Sequence, residues 1–62
     1  MIQWSVPSAA VVVIFRDANR TLADIAKAVS ATRGEILEAF EYLDAHPITE
    51  AVRLLNLRGR RA

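Results

Sequence analysis

Residues 21–43, TLADIAKAVSATRGEILEAFEYL, constrain this chain more than any other stretch. Leu22, Ile25, Ala26 and Val29 recur at i, i+3, i+4 and i+7, the spacing of one buried stripe on a helix. Ile36, Ala39, Phe40 and Leu43 repeat that pattern. Only Ser30, Ala31 and Thr32 separate the two stripes, too few residues for anything but a tight helix–helix corner. Thr21, with Asp24 three residues on, imitates a capping box in which Asp replaces the preferred Glu. Ala26 is small where a crossing helix must approach closely. The pattern predicts helices over 21–30 and 32–45.

This pair resembles the helix-turn-helix unit of small bacterial and phage DNA-binding regulators. With the segment before it, it is similar to the first three helices of winged-helix repressors. The resemblance rests on apolar Ile25, Val29, Ile36 and Ala39, on small Ala26, and on Thr32 or its neighbour as N-cap of the recognition helix. It covers about a third of the chain. The family usually has Gly at the turn, where Ser30 stands; Ser lacks glycine's freedom at positive φ, so a less sharp turn is expected. A plain antiparallel helix pair in a small bundle needs the same core stripes.

The flanking segments extend a helical reading. Val11, Val12, Val13, Ile14 and Phe15 are compatible with a buried strand. Ser5 or Ser8 as a cap, Pro7 in a first turn and an unbroken run through Ala18 favour a helix over 8–18. Asn19 and Arg20 form the loop that follows. Pro47 disfavours helical backbone at His46 and ends the second motif helix. Beyond it, Thr49 is the expected cap of a helix over 49–58, with Ala51, Val52, Leu54, Leu55 and Leu57 apolar. The family resemblance implies wing strands here, but the segment has neither strict alternation nor a hairpin turn pair. Gly59 stops this helix, and 59–62 is a basic tail. The expected fold is thus mainly α: one compact three- to four-helix domain over 1–62, with short wing strands as the alternative for its C-terminal part.

Sixty-two residues without cysteine leave no disulfide or thiolate metal site to staple the fold. Hydrophobic residues make up 53% of the chain, difficult to hide in so small a body, so a homodimer or another protein partner is expected, with the 8–18 helix or residues 52–57 as the seam. The apolar run 6–15 is too short to span a bilayer and lacks a signal-peptide cleavage pattern, so a cytoplasmic protein is expected. No catalytic constellation emerges. His46 is the sole histidine and stands at a helix end, where a cation is favourable in itself. No second metal ligand type, activated serine or glycine-rich phosphate loop accompanies it. Neither enzyme activity nor a cofactor or metal is expected.

Two binding functions remain. In the first, a sequence-specific transcriptional regulator holds double-stranded DNA through Arg20, Lys27, Thr32, Arg33 and the C-terminal Arg58, Arg60 and Arg61. The sequence Arg58-Gly59-Arg60 also looks like the core of AT-hook peptides, without their flanking prolines. Against this stands the net charge of only +1 and the carboxylates Glu35, Glu38, Glu41 and Asp44 along the second motif helix, since phosphates demand positive charge. Rotation from Ile36 puts Gly34, Glu38, Glu41 and Ala45 opposite the core, with Leu37 and Tyr42 flanking. In the second function, a phage- or antitoxin-like interaction module docks that acidic face, Leu37, Glu38, Glu41 and Tyr42, on a basic partner such as a nucleic-acid-binding enzyme.

Overall fold

The computed structural model describes residues 2–59, which form four helices and no strands: α1 (Val6–Asp17), α2 (Leu22–Val29), α3 (Arg33–Ala45) and α4 (Ile48–Gly59). The fold is mainly α, and the C-terminal segment is helical rather than a wing. α1 packs against all three other helices. α2 and α3, and then α3 and α4, pack as neighbours, whereas α2 and α4 do not touch.

Local chemistry sets the boundaries. The Ser5 side chain accepts from the Ser8 N–H while the Ser8 hydroxyl accepts from the Ser5 N–H, so α1 begins two residues earlier than expected, with Pro7 in its first turn. β-branched residues 11–13 stay helical because Val12 and Ala9 point into the core and are completely buried. α1 and α2 both end on a non-glycine residue in left-handed conformation, Asn19 at φ 61° and Ser30 at φ 58°. In each case the next amide reaches back five residues, Arg20 to the Phe15 carbonyl at 3.0 Å and Ala31 to Ala26 at 2.8 Å, which closes the helix end. The expected blunting of the turn by Ser30 is therefore corrected. Serine adopts the left-handed geometry that glycine would, at a cost of about 1 kcal/mol. Thr49 is likewise corrected as a cap. α4 starts at Ile48, and the Pro47 carbonyl takes its first helical bond, from the Ala51 N–H at 2.9 Å.

The core comprises Val12, Ile25 and Ile36, all fully buried, with Leu55, Ala26 and Trp4 almost so. Ala9, Ala39 and Ala51 are also fully buried; their small side chains let the helices approach closely. Each large aliphatic residue hidden here contributes about 1.5–3 kcal/mol. Val29, Phe40 and Leu43, on the predicted stripes, are only half-buried and pack on the rim of this cluster. Arg16 covers the Phe40 ring, its guanidinium carbon 5.2 Å from the ring centroid.

Candidate nucleic-acid interface

The Thr21 hydroxyl accepts from the Asp24 N–H at 3.1 Å and caps α2. Thr32 caps α3 in a reciprocal box: its hydroxyl accepts from the Glu35 N–H at 3.2 Å, and Glu35 Oε1 accepts from the Thr32 N–H at 2.9 Å. Arg20 ahead of α2, Lys27 in its last turn, and Thr32, Arg33 and Gly34 at the start of α3 are all exposed. The Arg20 guanidinium carbon lies 5.9 Å from the centroid of the Phe15 ring, which restrains it at the α1–α2 junction.

Ion pairing sorts the charges of the domain. Arg16 pairs with Asp44 at 2.8 Å, Arg53 with Glu50, and Arg58 with Glu38 at 2.9 Å. Arg20, Lys27 and Arg33 have no ion-pair partner among the described residues. The cations left unpaired are thus Arg20 at the α1–α2 junction, Lys27 in the last turn of α2 and Arg33 at the start of α3.

Most of the acidity that counts against a polyanionic ligand is engaged inside the domain. Glu35 accepts from Thr32 N–H and, through Oε2, from Ile2 N–H at 3.0 Å. These two backbone bonds, Thr32 first, hold its carboxyl below the usual glutamate range against a small burial penalty. Glu38 is paired with Arg58, whose Nη1 also donates to the Tyr42 hydroxyl at 3.4 Å. That hydrogen bond and then Glu38 raise the Arg58 pKa further, so the guanidinium stays charged. Asp44 is held by Arg16. Asp17, Asp24 and Glu41 remain exposed without an ion pair among the described residues.

The outward face of α3 is consequently turned from where a simple rotation puts it. α4 lies along one side of α3, so Glu38 and Tyr42 face α4 and are half-buried. Leu37, expected at the flank, is 51% exposed. Arg33, Gly34, Leu37 and Glu41 line the open side of the helix. Of the expected acidic face, Glu38 and Tyr42 carry contacts to Arg58, while Leu37 and Glu41 are exposed. Arg58 itself is engaged on α3, and Arg60 and Arg61 lie outside the described residues.

Gly34 has no structural reason to be glycine. Its φ is negative, and an added Cβ would meet only the Thr32 hydroxyl oxygen, at 3.9 Å. In a helix glycine costs up to about 1 kcal/mol relative to alanine. Sequence reading missed the Thr32–Glu35 box, although Thr-x-x-Glu before an apolar run is its signature. It also missed the Glu38–Arg58 pair, for which no local signal exists.

Among the described residues no group of acidic or histidine side chains is placed to hold a metal ion, and no helix is long and apolar enough to cross a membrane. No protein-family model matches the chain, and neither the curated proteins nor the solved structures contain a match to it.

Proposed function

We propose that the domain binds double-stranded DNA as a small cytoplasmic, sequence-specific regulator, with the α2–α3 corner as a helix-turn-helix and the first turns of α3 in the major groove. The observation that carries this reading is the sorting of charge. Arg16, Arg53 and Arg58 are engaged in internal pairs, while Arg20 ahead of α2, Lys27 in its last turn and Arg33 at the start of α3 have no pair among the described residues. Phosphate neutralisation by such cations supplies affinity, and a guanidinium at the start of the recognition helix reads guanine bidentately. Leu37, one turn beyond Arg33, offers an apolar contact suited to a thymine methyl. Glu41, one turn further, offers an acceptor suited to the amino group of cytosine. Gly34 leaves the backbone of that turn bare where a base edge or sugar would approach. Asp17 at the end of α1 and Asp24 in the first turn of α2 are the exposed acids nearest Arg20 in sequence.

A docking module for a basic partner finds less support, since Glu38 and the Tyr42 hydroxyl are already satisfied by Arg58. A second copy of the chain is the partner that suits the regulator, because paired recognition helices read two half-sites. Of the two expected seams, α1 leaves Val6 and Ile14 in the open, at 43% and 62% exposure, on a helix with no charge before Arg16. In the 52–57 segment the only exposed apolar residue is Leu57. An antiparallel pairing of two α1 helices would also bring the exposed Asp17 of each to the partner's α1 N-terminus, whose first turn carries no acid and whose dipole favours one.

The test is a pair of substitutions read on duplexes of different sequence. Lys27→Ala is expected to weaken all duplexes alike, whereas Arg33→Ala is expected to relax base preference at one position, by about 1–3 kcal/mol. If both leave duplex affinity intact, the reading fails.

A further inference from the structure

The chain ahead of α1 takes no part in the proposed DNA face, yet two long-range attachments fix it. The Trp4 N–H donates to Asn56 Oδ1 at 2.8 Å, and Asn56 Nδ2 donates back to the Trp4 carbonyl at 2.8 Å. One side-chain amide on α4 thus satisfies both backbone groups of Trp4, while the indole is sunk into the core, 6% exposed. Two residues earlier, the Ile2 N–H donates to Glu35 Oε2 at 3.0 Å, and the other oxygen of that carboxylate caps α3 through the Thr32 N–H.

We infer that segment 2–4 is a positioning strap for the DNA-reading end of α3, and that Glu35 and Asn56 are its two anchor residues; this rests on the DNA reading above. Arg33 has no ion-pair or hydrogen-bond partner among the described side chains, so the first turn of α3 alone sets the point from which its side chain reaches out. Helix ends fray, and a recognition group must be held to about half an ångström. The capping box restrains that turn only against itself. The Glu35 carboxylate adds an external reference, because it reaches the strap and, through Trp4 and Asn56, α4. The fourth helix thereby braces the reading end from a distance, in the place where a wing is expected from the family resemblance. The two anchors join residues 33 and 52 positions apart in sequence, so neither is an accident of local geometry.

The test uses Glu35→Gln and Asn56→Ala in the full chain. Glutamine has a single acceptor oxygen where the carboxylate gives the Thr32 N–H and the Ile2 N–H one oxygen each, so the two-oxygen bridge is lost. Asn56→Ala frees Trp4, the only tryptophan of the chain, whose emission reports release of the strap. The readout is the ratio of affinities for a duplex selected from a randomised pool by the wild-type protein and for mixed-sequence duplex, with the salt slope of each. Both variants are expected to lose roughly tenfold of that ratio, a factor equal to 1.4 kcal/mol. Their salt slopes are expected to be unchanged, since the phosphate-contacting cations remain. Amide exchange at Thr32 should quicken in Asn56→Ala while amides in the middle of α2 keep their protection. Should Asn56→Ala fail to fold by circular dichroism, Glu35→Gln, at the surface, carries the test. Folded variants that keep full discrimination overturn the strap and leave the DNA reading standing. A wild-type chain that binds no duplex at low salt overturns the DNA reading and the strap's role with it.

Discussion

Gly34→Ala separates what a residue does for the fold from what it does for a ligand. The added methyl meets nothing closer than Thr32 Oγ1 at 3.9 Å, an ordinary van der Waals contact, and the backbone there has negative φ. Alanine therefore enters without strain and removes conformational freedom from the unfolded chain. In a helix interior this exchange is worth about 0.8–1.0 kcal/mol. In a first turn, where the backbone is partly solvated, about 0.5 kcal/mol is a better value. For a domain of this size 1 kcal/mol moves Tm by about 4–8 °C, so a rise of roughly 2–4 °C is expected by thermal circular dichroism. Duplex affinity should move the other way. A methyl where DNA approaches the bare backbone costs about one good contact, on the order of 1 kcal/mol or fivefold in Kd. A more stable variant with weaker DNA binding is the predicted signature. Loss of stability would refute the open environment of Gly34; a more stable variant with unaltered DNA affinity would refute its part in close approach.

Ser30→Gly should raise stability by about 0.5–1 kcal/mol, measured by urea unfolding, because Ser30 holds φ 58° and glycine removes the Cβ penalty there. Ile14→Lys should leave helicity intact while abolishing concentration-dependent association in sedimentation, since Ile14 is 62% exposed and no core residue rests on it; a fold lost on this substitution would place Ile14 in the core instead. The Glu35 carboxyl is depressed by its backbone bonds to Thr32 and Ile2. In acid the folded state therefore binds fewer protons than the unfolded state, and stability must rise with pH there. The contribution is complete above the unfolded glutamate pKa of about 4.3 and is lost as pH falls through the lower folded value. Glu35→Gln should flatten unfolding midpoints measured between about pH 5 and 3 relative to the wild type.

The parts of this fold legible in sequence are those carried by short-range periodicity. Ile25, Ala26, Ile36 and Ala39 lie on their stripes and are buried. Thr21 and Thr32 cap as their positions suggest, and the absence of strand alternation after Pro47 matches the helical α4. What escaped is long-range. Trp4 looks like an apolar lead, and nothing local announces that Asn56 will seize its backbone. Glu38 and Tyr42 lie on the outward face by rotation alone, and only the packing of α4 turns them inward to Arg58. Phe40 sits on a stripe yet remains half-buried, because Arg16 rather than another apolar side chain closes over it. The candidate site follows the same division. Its residues were identifiable by type and cap position, but the sorting of paired from unpaired cations needed the tertiary structure.

The central claim, that the unpaired cations Arg20, Lys27 and Arg33 hold DNA, is tested most directly by titrating duplex binding against salt. Log K should fall linearly with log salt at a slope of about −0.9 for each phosphate neutralised. Two phosphate contacts, from Arg20 and Lys27, give roughly −1.8 per copy of the chain, and both C-terminal arginines would extend this to about −3.6. Replacing Arg20, Lys27 and Arg33 together by Gln should remove about 1.8 of that slope, and the base preference with it, with the fold intact. A slope that ignores the triple replacement, or no duplex binding by the wild-type chain at low salt, would contradict the account.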